Sequence, residues 1–188
     1  MEKLLYIISG ANGSGKTTIA QDLLAEEKLE LLNADEIAKS LNAAHPEKIR
    51  IQAGKIYYKK ILEIIKTARS VAMETTLSGQ NHLKVMTKFK ANGYKIKLLY
   101  VFLDTPDLCI DRIKVRVSKG GHNVPDSDVI RRFRRGKENF LKLLNNTDLD
   151  QWTLYYNGGD EYTVVAQGKA GYIDISNQGL YDRFNEDN

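Results

Sequence analysis

Cysteine is almost missing from this chain: Cys109 stands alone among 188 residues. An intrachain disulfide framework is therefore excluded, and a reducing, cytosolic compartment is expected. Nothing at the amino terminus has the pattern of a secretory leader, since the first residues lead straight into a short strand. No apolar run approaches the roughly 20 residues that span a bilayer, so no membrane partner is expected. Internal repeats and low-complexity tracts are absent. Disorder is excluded as well, because apolar residues make up 42% of the chain, enough for a packed core. The length fits one domain with room for a small appendage.

Positive charge, by contrast, is present and localised. The net charge is only +4, but basic residues crowd between Arg112 and Lys137. That placement points to a local anion site rather than a broad basic face. Ten tyrosines occur, yet no stretch interleaves them with basic residues as a single-strand nucleic-acid groove requires, so nucleic acid is not the expected partner.

Strand and helix patterns alternate from the start. Apolar runs at Leu4–Ser9, 29–33, 70–75 and 95–103 read as strands. The last, "KIKLLYVFL", is nearly continuous, as in a strand covered on both faces. Helical patterns follow them, from about Lys16 to Glu27, over "DEIAKSLN", from about 46 to 69 with Pro46 in the first turn, from Asn81 to Ala91, and from Pro106 to Val117. "SKGGHNVP" breaks the pattern before a charged helix from about Asp126 to Asn145. Three β-like segments, "WTLYYN", "EYTVVAQ" and "GYIDIS", close the chain, and the last two suit a hairpin. Repeated strand–helix alternation implies a parallel sheet with helices on both faces and ligands beyond the strands' carboxyl ends.

The most informative stretch is "GANGSGKTT" at 10–18, where Gly10 is followed by four residues and then Gly15-Lys16-Thr17. This is a phosphate loop with the required strand before and helix after. Backbone N–H groups from Gly10, Ala11, Asn12, Gly13, Ser14, Gly15 and onward to Thr18 would face an anion, aided by the helix N-terminus. Lys16 would reach the outer phosphates of ATP, and Thr17 would place its hydroxyl on Mg²⁺.

Acids follow at strand ends. Asp35, after the second strand, would accept the proton of a hydroxyl attacking the γ-phosphate. Asn33 and Glu36 around it form a capping-box-like pattern, which does not compete with that role. Glu74, Thr75 and Thr76 could hold substrate hydroxyls or a magnesium-bound water. Asp104, after "YVFL", has the position of a Walker B acid, but "DTPD" reads better as a turn into a helix. Without a clear Walker B acid, and with no water-positioning glutamine motif, an ATPase is not favoured. Arg112 and Arg116 share a helix face, and Arg131, Arg132, Arg134 and Arg135 follow beyond the glycines, with His122 in the turn. Folded over a nucleotide, this hairpin would bring guanidinium groups onto the phosphates and exclude water. Arg116 and one or two of the 131–135 group are expected at the phosphates, and periodicity does not choose among them.

These stretches together resemble the zeta-toxin family of P-loop kinases, in its short stand-alone bacterial branch. The matching segments are "GANGSGKTT", "NADEIA", "METTLSG", "RIKVRVSKGGHNVPDSDVIRRFRRGKENF" and "DLDQWTLYYNG", in that order across most of 4–158. The resemblance implies a three-layer α/β sandwich of P-loop NTPase type, with a mostly parallel sheet, a helical arginine lid and a small β-like extension. It implies a kinase unit over 1–158, its lid spanning about 112–137; residues 159–188 lie outside the matched stretch, and their own pattern leads us to expect a β-hairpin and helix packed on the same domain. It further implies Lys16 and Thr17 for ATP and Mg²⁺, Asp35 as base, and Glu74 and Thr76 toward the substrate; read from the residues alone, His122 either touches substrate or hydrogen-bonds within the turn. Arg116 with Arg131 or Arg132 would stabilise the transferred group, and Arg135 would contact the nucleotide. The family acceptor is UDP-N-acetylglucosamine, phosphorylated on the sugar 3′-hydroxyl, and a toxin function would imply a small helical antitoxin. From the residues alone, two alternatives stay open: a polynucleotide or other metabolite kinase, and a nucleotide-dependent switch with little turnover.

Overall fold

The computed structural model describes residues 2–42 and 49–186. Pro46, expected in a first helical turn, lies outside the described residues. Strands β1 (Leu4–Ser9), β2 (Glu30–Leu32), β3 (Val71–Thr75), β4 (Lys95–Phe102), β5 (Gln151–Tyr156), β6 (Thr163–Lys169) and β7 (Tyr172–Ile175) form one sheet in the order β2-β3-β1-β4-β5-β6-β7. The pairings from β2 through β5 are parallel, and β6 and β7 add on antiparallel. The helices are α1 (Lys16–Glu27), α2 (Ala34–Leu41), α3 (Arg50–Lys66), α4 (Asn81–Ala91), α5 (Pro106–Ser118), α6 (Asp126–Leu143) and α7 (Gln178–Asn185). This is the α/β architecture expected from the alternating patterns, with the tail extending the sheet.

Strand alternation sorts the core into layers. On β1, Leu5 and Ile7 point into one cluster with Met73, Leu98, Phe89 and Ile61, while Tyr6 and Ile8 point to the other face with Ile19 and Ala20 of α1. The period-two geometry of a strand requires this division, and it explains why β1 is apolar at nearly every position. A third cluster joins Ala11, Leu103, Cys109, Ile113, Val129 and Phe133 beneath the α5–α6 hairpin. The hairpin therefore has a core of its own, continuous with the loop after β1.

Sheet order puts β1 between β3 and β4. Chain direction reverses its lateral progress there, from β2 and β3 on one side to β4 on the other, and such a switch point opens a crevice at the carboxyl ends. Local signals fix the approaches to it. Asn33 caps α2 by accepting from the Asp35 and Glu36 N–H groups, and Thr105 caps α5 by accepting from Leu108 N–H. Pro106 opens α5, so "DTPD" is a turn into a helix, as read from the sequence. Asp104 is engaged there, accepting from Tyr156 Oη at 2.6 Å and from Arg183 of α7 at 3.1 Å.

An aromatic stack docks α6 and α7 onto the sheet. Phe140 lies 4.6 Å from the Tyr100 ring and meets Trp152 and Phe184 edge-on. Phe140→Ala is expected to cost about 3–5 kcal/mol, the usual range for deleting a fully buried ring. Urea denaturation of the two proteins measures it, and a loss under about 1 kcal/mol would mean that the stack does not hold α6 in place.

Candidate active site

The turn between β1 and α1 is built from glycines that no other residue replaces. Gly10, Gly13 and Gly15 have φ of 141°, 83° and 96°, in the region closed to most side chains. Crowding adds to the constraint: a Cβ at Gly10 would collide with the Val101 carbonyl, and one at Gly13 with the Cys109 carbonyl. Helix α1 begins without a side-chain cap and without an acid in its first turn. The Thr18 N–H donates to the Gly15 carbonyl, which leaves the Lys16 and Thr17 N–H groups for an external acceptor, and the helix end favours an anion.

Lys16 is 6% exposed, and its Nζ donates to the Ala11 carbonyl at 2.7 Å. Burial lowers its pKa, while the Glu74 and Asp35 carboxylates act in the opposite direction and the Arg116 charge adds to the lowering. Those couplings bring Asp35, Glu74 and Arg116 within electrostatic reach of one ammonium group. Glu74, at the end of β3, binds two neighbours through Oε2: the Thr17 hydroxyl at 3.4 Å and the Asn33 amide at 3.3 Å. Asp35 stands exposed on the first turn of α2, beside the residue that caps it. The hard oxygens of Thr17 and Glu74 fit magnesium, which takes one or two protein ligands and completes its shell with phosphate and water.

Beyond Glu74 opens a cleft of about 940 Å³, walled by Ala34, Tyr57, Tyr58, Met73, Thr75 and His82 among others. His82 is held toward its neutral form by burial, against a backbone hydrogen bond with Gly79 that acts the other way. The Thr76 hydroxyl pairs with Ser78 Oγ at 2.9 Å.

The lid separates the arginines that periodicity left together. Arg132 reaches the phosphate loop, donating to Asn12 Oδ1 at 3.1 Å and to Asp128 Oδ2 at 3.1 Å. Arg131 turns outward and pairs with the other Asp128 oxygen at 2.7 Å. Arg116 donates to the His122 carbonyl at 2.6 Å, so this residue is tied by its backbone while its ring is exposed. Arg135 is exposed, one turn along α6 from Arg132. Two loop contacts escaped sequence reasoning. Asn157 Nδ2 donates to Ser14 O at 2.8 Å, and Tyr162 Oη donates to Gly15 O at 2.6 Å. Their signal is topological: β5 runs parallel beside β4, so the residue after it emerges at the ligand end.

The chain matches the family described as Zeta toxin over residues 1–170. An uncharacterized protein of Haemophilus influenzae is 30% identical over 134 residues, which are 71% of this chain and 94% of the relative. A structure from the PezAT chromosomal toxin–antitoxin system of Streptococcus pneumoniae superposes with a TM-score of 0.73 at 17% identity, covering 100% of this chain and 80% of that one. A chain of the AvrRxo1-ORF1:-ORF2 complex, solved with ATP, superposes with a TM-score of 0.77 at 16% identity and 97% coverage, and this protein spans 63% of its length. At such identities the structural likeness establishes the fold.

The buried lysine makes stability depend on pH. Because its folded pKa lies below the ordinary 10.5, the unfolded chain alone carries the proton between the two values. Stability therefore rises with pH across that window, and below it the charged lysine is a constant burden. Without nucleotide, Lys16→Met is expected to be at least as stable as the parent at pH 7, since Ala11 O keeps its bond from Ser14 N–H. The advantage should shrink toward pH 10. Denaturant titrations at the two pH values check this, and a variant less stable than the parent at pH 7 would contradict it.

Proposed function

This chain belongs to the zeta toxin family, and on that premise we propose that it is an ATP-dependent phosphotransferase acting on a hydroxyl group of a small molecule. One observation carries the reading: a glycine-built anion nest with its buried lysine adjoins Glu74, which binds Thr17 and also lines a large cleft, and Asn33 links Glu74 to the helix turn that carries Asp35. ATP lies with its triphosphate against residues 10–18. The acceptor enters past Tyr57 and Tyr58 and presents its hydroxyl between Asp35 and Glu74. A nucleotide sugar such as UDP-N-acetylglucosamine suits the reading, since Tyr57 offers a ring and Glu74, Thr75, Asn81 and His82 in the cleft wall offer partners for sugar hydroxyls.

Transfer makes an oxygen–phosphorus bond to the acceptor and breaks the one to the β-phosphate, releasing ADP. Asp35 takes the hydroxyl proton. Lys16 and Arg132 balance charge on the moving group, and Arg116, Arg131 and Arg135 add positive potential from the lid. Thr17 and Glu74 would hold magnesium, which would supply neutralisation of phosphate charge. Glu74 and Thr76 bound the acceptor side, and His122 lies in the lid turn above. Most of the rate enhancement comes from positioning and electrostatics. Residues 1–158 form the transfer unit, with 159–188 as an extension on it. The PezAT structure comes from a toxin–antitoxin system and the AvrRxo1-ORF1 structure from a complex with ORF2, and by that analogy a small antitoxin is the proposed protein partner.

Asp35→Asn is expected to bind ATP within about twofold of the parent and to lose at least 10²-fold in turnover, the lower bound for a positioned base. Calorimetric titration with ATP and a labelled-phosphate assay against nucleotide sugars and nucleosides measure both. Full turnover in the variant would remove Asp35 as the base.

A further inference from the structure

An anion nest works only if its peptide planes are turned correctly. Across a trans peptide the carbonyl of one residue and the N–H of the next point in opposite directions. An inward N–H therefore demands an outward carbonyl, and that carbonyl needs a donor of its own once water is excluded. In this chain the donors come from the connection between β5 and β6, a segment with no part in the phosphate-loop motif. Asn157 Nδ2 donates to Ser14 O at 2.8 Å, and Tyr162 Oη to Gly15 O at 2.6 Å. The Gly15 carbonyl also accepts from Thr18 and Ile19 N–H, so the start of α1 already orients it. For the Ser14–Gly15 plane, Asn157 is the side-chain donor.

Asn157 is itself fixed on three sides. Its N–H donates to Phe102 O on β4 at 3.1 Å, its carbonyl accepts from Arg112 of α5 at 2.7 Å, and its amide holds the loop. Gly15 is the matching surface: a Cβ there would strike the Asn157 amide and crowd the Tyr162 hydroxyl.

We propose that Asn157 and Tyr162 are positioning residues that hold the Ser14 and Gly15 carbonyls outward and so aim the Gly15 and Lys16 N–H groups at phosphate. Arg112 extends the clamp to the lid, since it joins α5 to the same asparagine. The inference rests on the phosphotransferase reading, but its consequence is a binding property of the nest. The clamp acts on the triphosphate and not on the base or the acceptor.

Two shape-conserving variants remove the donors, Asn157→Leu and Tyr162→Phe. The probes are ATP, inorganic tripolyphosphate and adenosine, titrated into the full chain by calorimetry. Asn157→Leu should weaken ATP and tripolyphosphate by one common factor of about fivefold to tenfold, the size of one net hydrogen bond. Adenosine binding and the KM for the acceptor should not move. Tyr162→Phe should act in the same direction and less strongly, since the helix keeps the Gly15 carbonyl aligned. Thermal melts of each variant give the folded control, and Tyr162→Phe serves where Asn157→Leu fails to fold. Unchanged tripolyphosphate affinity in a folded variant would overturn the clamp while leaving the phosphotransferase reading intact. Failure of the unaltered protein to bind either polyphosphate would overturn both.

Discussion

Three glycines hold the turn after β1 in backbone conformations closed to other residues, and their neighbours leave no space for a side chain. Everything else near the site answers to that turn. Val101 on β4 and Cys109 on α5 press against it from behind, and the third glycine abuts Asn157 and Tyr162. The loop is thus a fixed surface, shaped before any ligand arrives, and rigidity of this kind lets backbone dipoles act without reorganising. The cost is carried by the core beneath, where Ala11 joins the cluster of Leu103, Ile113, Val129 and Phe133 that seats the lid hairpin.

Charge in the lid is less free than its arginine count suggests. Asp128 engages both Arg131 and Arg132, and Arg116 is drawn to a backbone carbonyl within its own turn. Such pairings near the surface contribute little stability. Their effect is geometric: they set which guanidinium faces the loop. Arg132 is the one held against Asn12, and it is also the better covered, with 21% of its side chain exposed against 47% for Arg131.

The legible parts of this fold are those with local causes. Continuous apolar runs gave away β1, β3 and β4, because strands covered on both faces need no polar alternation. The glycine spacing located the nest, and Asn33 and the "DTPD" turn into Pro106 marked helix starts through chemistry that operates over a few residues. The illegible parts depend on distant partners. Arg131 and Arg132 differ by about 100° around one helix, and only the position of Asp128 and Asn12 separates them. Asn157 and Tyr162 lie more than 140 residues from the carbonyls they hold. A helix after the hairpin is expected from the sequence, but its anchoring by Phe184 in an aromatic cluster assembled from β4 and α6 depends on partners far along the chain.

Asn33 joins the two acids of the site through opposite ends of one amide. Its oxygen caps the helix that carries Asp35, and its nitrogen binds Glu74. Serine or threonine would cap but could not span the gap; aspartate would cap but set one carboxylate against another. The two bonds together call for a side chain bearing an acceptor and a donor on a single short stem. Any drift of one acid is felt by its neighbour through a linkage a few bonds long.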